Sequence, residues 1–244
     1  MKASEAYIRE IMRLTEEVAA AQAEPIEQAA ELAAQALCSD GYIFTFGTGH
    51  SHLLAEEIFY RAGGLARVCP ILEDSLMLHR AAARSSQIER ASGLAKPLLD
   101  DVDAVRFGGV MFLFSNSGCN TVAVDMALEA KARGLSTVCI TNLKHAARSV
   151  SRHPEGKKLC EVCDVVIDNM GCYGDAAISV GDCVTGATST AIGAMILQAV
   201  VCRAIELSQA HGVEPEVFHS ANTVGGDDAN EAYIQKYKPY VKAL

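Results

Sequence analysis

The chain lacks a basic stripe. Its 21 lysines and arginines are scattered and outnumbered by 30 aspartates and glutamates, for a net charge of −9. The cationic footprint that nucleic acid requires is therefore missing. No uninterrupted apolar run reaches the ~18 residues of a membrane span. The longest weakly polar stretch, Val184 to Val201, carries four Thr/Ser residues and a glutamine and reads as a buried helix. The opening MKASEAYIRE places charges where a secretory signal has its apolar core, so a cytoplasmic location is expected. Linkers, low-complexity tracts and internal repeats are also missing. The nine cysteines contain one CxxC, Cys160 to Cys163, with no second pair or histidine at metal spacing. They read as reduced core residues, with Cys163 facing inward just before a strand.

Half of the 244 residues are hydrophobic, ample for one large α/β domain. Two short polar runs stand out, each directly after an apolar strand-like stretch. Gly47-Thr48-Gly49-His50-Ser51 follows Tyr42–Phe46, and Ser115-Asn116-Ser117-Gly118-Cys119-Asn120-Thr121 follows Val110–Phe114. Both lead into segments with helical spacing. A strand, a tight polar loop and a helix start aim backbone N–H groups at one spot, which suits an anion such as phosphate. An acidic protein can bind phosphate in this way, because local dipoles rather than net charge hold it. The first run is no dinucleotide fingerprint. The third glycine of G-x-G-x-x-G would fall on His52, and no acidic residue closes a second strand about 20 residues on.

Tyr7, Ile8, Ile11, Leu14 and Val18 mark a helix over 4–23, and Pro25 suits the first residue of a second helix ending at Cys38. Strands then alternate with helices. Strands are expected over 42–46, 67–72, 109–114, 136–141 and 163–168. Helices are expected over 52–62, twice within 75–99, and over 121–133, 145–151, 189–210 and 229–240. This pattern predicts a three-layer α/β/α fold on a five-stranded parallel sheet in the flavodoxin-like order 2-1-3-4-5. In that order the first and third strands are neighbours, which sets the two polar loops side by side. The whole chain reads as one unit: a helical pair over 1–38, an α/β core over 39–212 and a C-terminal segment over 213–244.

GTGHS paired with SNSGCNT, the run Thr185-Gly186-Ala187-Thr188-Ser189-Thr190 opening the long helix, and the strand order resemble the SIS (sugar isomerase) phosphosugar-binding domain. The stretch GTGHSHLLAEE is most similar to stand-alone phosphoheptose-isomerase-like members. The resemblance implies that Gly49, Ser51, Ser115, Asn116 and Ser117 hold the phosphate. Asn120 joins them where members usually place Ser or Thr, and Ser189 and Thr190 add hydroxyls. It implies aldose–ketose isomerisation with Glu57, the second acid of Ala55-Glu56-Glu57, as base and His219 or His79 as the second acid/base group. It also implies a homodimer or homotetramer and no cofactor. Zinc on His50 and His52 with Asp74 or His79 is the variant that a few heptose isomerases suggest. Two other activities are compatible with these residues: a lyase acting on a sugar phosphate, and a non-catalytic phosphosugar sensor.

Overall fold

The computed structural model describes residues 1–244. In chain order it contains α1 (Ala3–Ala21), α2 (Ala23–Cys38), β1 (Tyr42–Gly47), α3 (His52–Glu57), β2 (Val68–Ile71) and α4 (Leu78–Ile88). There follow α5 (Ala95–Asp100), β3 (Gly109–Phe114), α6 (Thr121–Ala132), β4 (Ser136–Thr141) and α7 (Leu143–Arg148). The chain closes with α8 (Leu159–Val162), β5 (Val165–Asp168), β6 (Ala176–Val180), β7 (Cys183–Ala187), α9 (Ser189–Ala210) and α10 (Gly226–Tyr237).

The five-stranded sheet is parallel in the order β2-β1-β3-β4-β5, as expected. Alternation along each strand sends side chains to opposite faces. Ile43, Val110, Phe112, Val138 and Ile167 pack under α1, α2, α3 and α9. Phe44, Phe46, Met111, Leu113 and Cys139 pack under α5, α6 and the C-terminal segment. Small residues permit close approach on the first face. Ala29, Ala30, Ala33 and Ala34 of α2 are buried, and a Cβ on Gly193 of α9 would stand 2.6 Å from Leu54 of α3.

Several boundaries differ from expectation. Pro25 is the third residue of α2 rather than the first, still within the turn whose N–H groups have no helical partner. The helix expected over 52–62 stops at Glu57, and Tyr60 takes a left-handed φ of 43°. The last helix begins three residues earlier than expected, after Gly225 at φ 77°. The largest correction concerns Val184–Val201. Its first residues form β7, the second strand of an antiparallel hairpin with β6, turning at Gly181 with φ 59°. The hairpin lies on α1, where the Tyr7 hydroxyl donates to the Ala187 carbonyl at 2.7 Å. The helix α9 is long and apolar enough to cross a membrane by length and composition alone. Here Ile192, Ile196, Leu197, Val200 and Val201 bury one face of it in the core.

The cysteines are not all core residues as expected: Cys69, Cys119 and Cys139 are buried, whereas Cys38, Cys183 and Cys202 lie on the surface, and none is in a disulfide. Burial pushes Cys69 up to about 12. A hydrogen bond with Cys163 that favours the neutral Cys139 thiol, together with burial, raises Cys139 well above the ordinary thiol value, and burial raises Cys160.

Candidate functional site

Gly47 and Phe114 are register partners at the carboxyl ends of β1 and β3, so the two polar loops leave the sheet from adjacent positions. This is the switch point of the strand order, where open α/β sheets hold their ligands.

The first loop turns so tightly that only glycine fits its opening. A Cβ on Gly47 would meet the Ser51 carbonyl oxygen at 2.4 Å, and Gly49 has φ 57°. Thr48 is buried and its hydroxyl donates to Glu89 at 2.6 Å, while the Glu89 carbonyl accepts from the Val122 amide of α6 at 3.1 Å. His52 is buried and its ring bonds the Gly49 carbonyl, leaving His50 and Ser51 facing outward from the turn.

The second loop is braced from β4 and β5. The Gly118 amide donates to Ser115 Oγ at 3.1 Å, and the Thr141 hydroxyl donates to the Ser115 carbonyl at 2.7 Å. Three asparagines form a chain behind it. Asn142 Nδ2 donates to Asn169 Oδ1 at 2.9 Å, and Asn169 Nδ2 donates to Asn116 Oδ1 at 2.8 Å. That chain fixes the orientation of Asn116 and leaves its Nδ2 with no protein acceptor. The backbone amides of Asn116 and Ser117 also donate to no protein group.

Between the loops lies a cavity of about 140 Å³. It is lined by His50, Ser51, Ser115, Asn116, Asn169, Asp175, Ser189 and Thr190, with Leu54 and Ile140 beneath. The hydroxyls of Ser51 and Thr190 have no protein partner. The Ser189 hydroxyl is engaged, donating to Asp175 Oδ2 at 2.6 Å. Asp175, at a left-handed φ of 65°, also accepts from the Thr188 and Ser189 amides at 3.1 and 2.9 Å, where the dipole of α9 favours an anion.

The remaining sequence candidates lie elsewhere on the chain. Ser117 borders a second hollow on the other side of the loop. Asn120 lines neither cavity, and its Oδ1 accepts at 2.8 Å from Arg152, which borders the second. Glu57 ends α3 and turns toward α9, paired with Arg61 and accepting from Gln198 Nε2 at 3.0 Å. Gln198 is nine residues along α9 from Ser189, about 14 Å by helical rise. His79 sits in a surface hollow with Asp74, Arg80 and Arg84. His219 is exposed on a segment whose neighbours Glu216 and Phe218 pair with Gly63–Ala66, the stretch feeding the amino end of β2. His50 and His52 face different surroundings, and no three His, Cys, Asp or Glu side chains gather at metal-binding distance. Asn169 and Asp175 belong to no loop motif: Asn169 follows Asp168 at the end of β5, and Asp175 stands six residues further on, after Gly174. Only the position of Asn169 at a third carboxyl strand end hints at its role.

The same architecture recurs in solved proteins. The phosphoheptose isomerase GmhA from Neisseria gonorrhoeae superposes with a TM-score of 0.52 at 17% identity, over 82% of this chain and 96% of that one. The NanR protein of Vibrio vulnificus complexed with ManNAc-6P gives 0.52 at 16% identity, over 98% of this chain and 70% of that one. A phosphoheptose isomerase from Francisella tularensis gives 0.50 at 15% identity, over 84% and 96%. Nearer in sequence are UPF0309 proteins. That of Geobacillus thermodenitrificans is 44% identical over 221 residues, 90% of this chain and 88% of its own length. That of Listeria innocua is 41% identical over 240 residues, 98% and 97%. The SIS domain description itself matches residues 6–142, from α1 through both polar loops to the end of β4. With that match and these relatives in hand, the chain belongs to the SIS domain family.

Proposed function

We propose that this protein binds a phosphorylated sugar, with the phosphate seated between the two loops, and interconverts aldose and ketose forms of it. One observation carries the binding: the donors of Ser51, Thr190, Asn116 Nδ2 and the Asn116 amide converge on one cavity at the switch point without protein acceptors. Donors held in place before the ligand arrives need little reorganisation to grip an oxyanion. The NanR protein complexed with ManNAc-6P supports the ligand class. The phosphoheptose isomerases among the structural neighbours support the reaction.

Isomerisation through an enediol needs a base at the carbon beside the carbonyl. Glu57 is the carboxylate proposed for it, with His219 or His79 as partner. His50 and Asp175 are the titratable groups already lining the cavity. A non-catalytic sensor is the second reading. The pairing of Glu57 with Arg61 and Gln198 favours it, since these contacts occupy the carboxylate away from the cavity. Fold alone does not choose between them. Residence in the cytoplasm and self-association complete the proposal, the latter through the exposed Ile8 and Met12 of α1 and Val184 of the hairpin.

The test is calorimetry with hexose and heptose phosphates, followed by NMR exchange of the C2 proton in D2O. Saturable binding with exchange is expected. Binding without exchange selects the sensor, and no binding removes the phosphosugar reading.

A further inference from the structure

The hollow on the far side of the second loop has a chemistry of its own. It encloses about 530 Å³ and is bordered by Ser117, His145, Arg148, Ser151, Arg152 and Tyr173, with no carboxylate in its lining. Arg13, Arg61, Arg133 and Arg203 are each paired with a carboxylate. Arg148 and Arg152 have no acidic partner. Arg148 lies over the Tyr173 ring at 5.4 Å from its centroid and donates to no protein acceptor. Arg152 is pinned through one nitrogen only, to Asn120 Oδ1 at 2.8 Å and Cys119 Sγ at 3.4 Å. Its backbone is tied to the same loop, the Arg152 amide donating to the Cys119 carbonyl at 2.8 Å and the Thr121 hydroxyl to the Arg152 carbonyl at 2.9 Å. A guanidinium stacked or pinned on one side presents its remaining N–H fork to an oxyanion at little entropic cost.

We propose that this hollow is a second anion subsite, and that the ligand is a sugar phosphate bearing a further acid group, a carboxylate or a second phosphate. The inference rests on the phosphosugar reading of the neighbouring cavity. The two sites are joined by three consecutive residues. Ser115 and Asn116 face the small cavity and Ser117 faces the hollow, so one ligand molecule spans both. Asn120 acquires a function in this arrangement: its amide oxygen orients Arg152, which the hydroxyl usual at that position is too short to do from the same backbone.

The experiment is calorimetry on the full chain with two matched pairs: glucose 6-phosphate against 6-phosphogluconate, and fructose 6-phosphate against fructose 1,6-bisphosphate. The first pair isolates a carboxylate and the second a phosphate. The diacid of at least one pair is expected to bind about tenfold tighter or more, the scale of one charge-assisted hydrogen bond. Arg148→Gln with Arg152→Gln is expected to erase that preference while leaving the monophosphate affinity within about threefold. Both side chains are exposed, so the double variant is expected to melt with the parent protein. Equal affinities within both pairs, or a preference that survives the double variant, overturn the second subsite alone. Failure to bind any of the four overturns it together with the phosphosugar reading.

Discussion

Asn116→Asp tests the phosphate cradle with almost no change in shape. The new carboxylate keeps one oxygen where Asn169 Nδ2 donates, at 2.8 Å, so the asparagine chain behind the loop survives. Its other oxygen replaces the one amide nitrogen that has no protein acceptor and faces the cavity. Two unit charges about 4 Å apart repel by about 4 kcal/mol at an effective dielectric near 20. Halving that for residual solvation leaves about 2 kcal/mol, and the lost donor removes roughly another 1.5 kcal/mol. Together these predict at least a hundredfold rise in Kd for a sugar phosphate at pH 8, where aspartate is ionised. The assay is calorimetry in 0.1 M salt, whose screening length of about 10 Å exceeds the separation involved. A thermal melt of the free protein serves as control. An affinity within threefold of the parent, with an unchanged melt, refutes the placement of the phosphate between these loops.

Gly47→Ala sets a Cβ 2.4 Å from the Ser51 carbonyl oxygen, so the first loop must open. A cost of about 1–3 kcal/mol, roughly 2–6 °C in melting temperature for a chain of this size, and loss of sugar-phosphate binding are expected by calorimetry and thermal melt. An unaltered melt rejects the tight turn. Glu57→Gln is expected to keep binding and lose C2 proton exchange by NMR, and retained exchange removes Glu57 as base. Asp164 accepts from the Thr137 amide and hydroxyl, both at 2.8 Å. Burial opposes its ionisation, but Lys131 and Thr137 together hold its pKa below the ordinary 3.8. A depressed folded value means stability present above the unfolded value and lost as pH falls through the folded one. The stability gap between the parent and Asp164→Asn should therefore narrow from pH 5 to pH 3 in urea melts, and a constant gap contradicts the ion pair's role.

Legibility from sequence follows the range of the interactions involved. The strands are readable because a buried parallel strand is a short apolar run, and Ile43, Phe112 and Val138 lie in such runs. The two loops are readable because glycine and hydroxyl residues directly after a strand have a local backbone reason to be there. The β6–β7 hairpin is not readable in this way. Cys183–Ala187 has no strong strand signal of its own and gains its place from Gly181 and from packing on Tyr7. Helix ends shift where a distant partner decides them, as at Glu57, where the chain leaves the helix to pair Gly63–Ala66 with residues 216–218.

By itself the sequence determined the layer architecture, the strand order and the presence of two anion-seeking loops, because periodicity, turn chemistry and crossover handedness act within a few tens of residues. Only the tertiary structure decided which side chains share a cavity. Ser115 and Asn116 were separated from their neighbour Ser117, Asn169 and Asp175 were brought in from beyond β5, and Arg148 and Arg152 were gathered on the far side of the loop. The physical reason is that successive residues of a tight loop point in different directions, and which of those directions meets a partner is settled by elements 30 to 70 residues away.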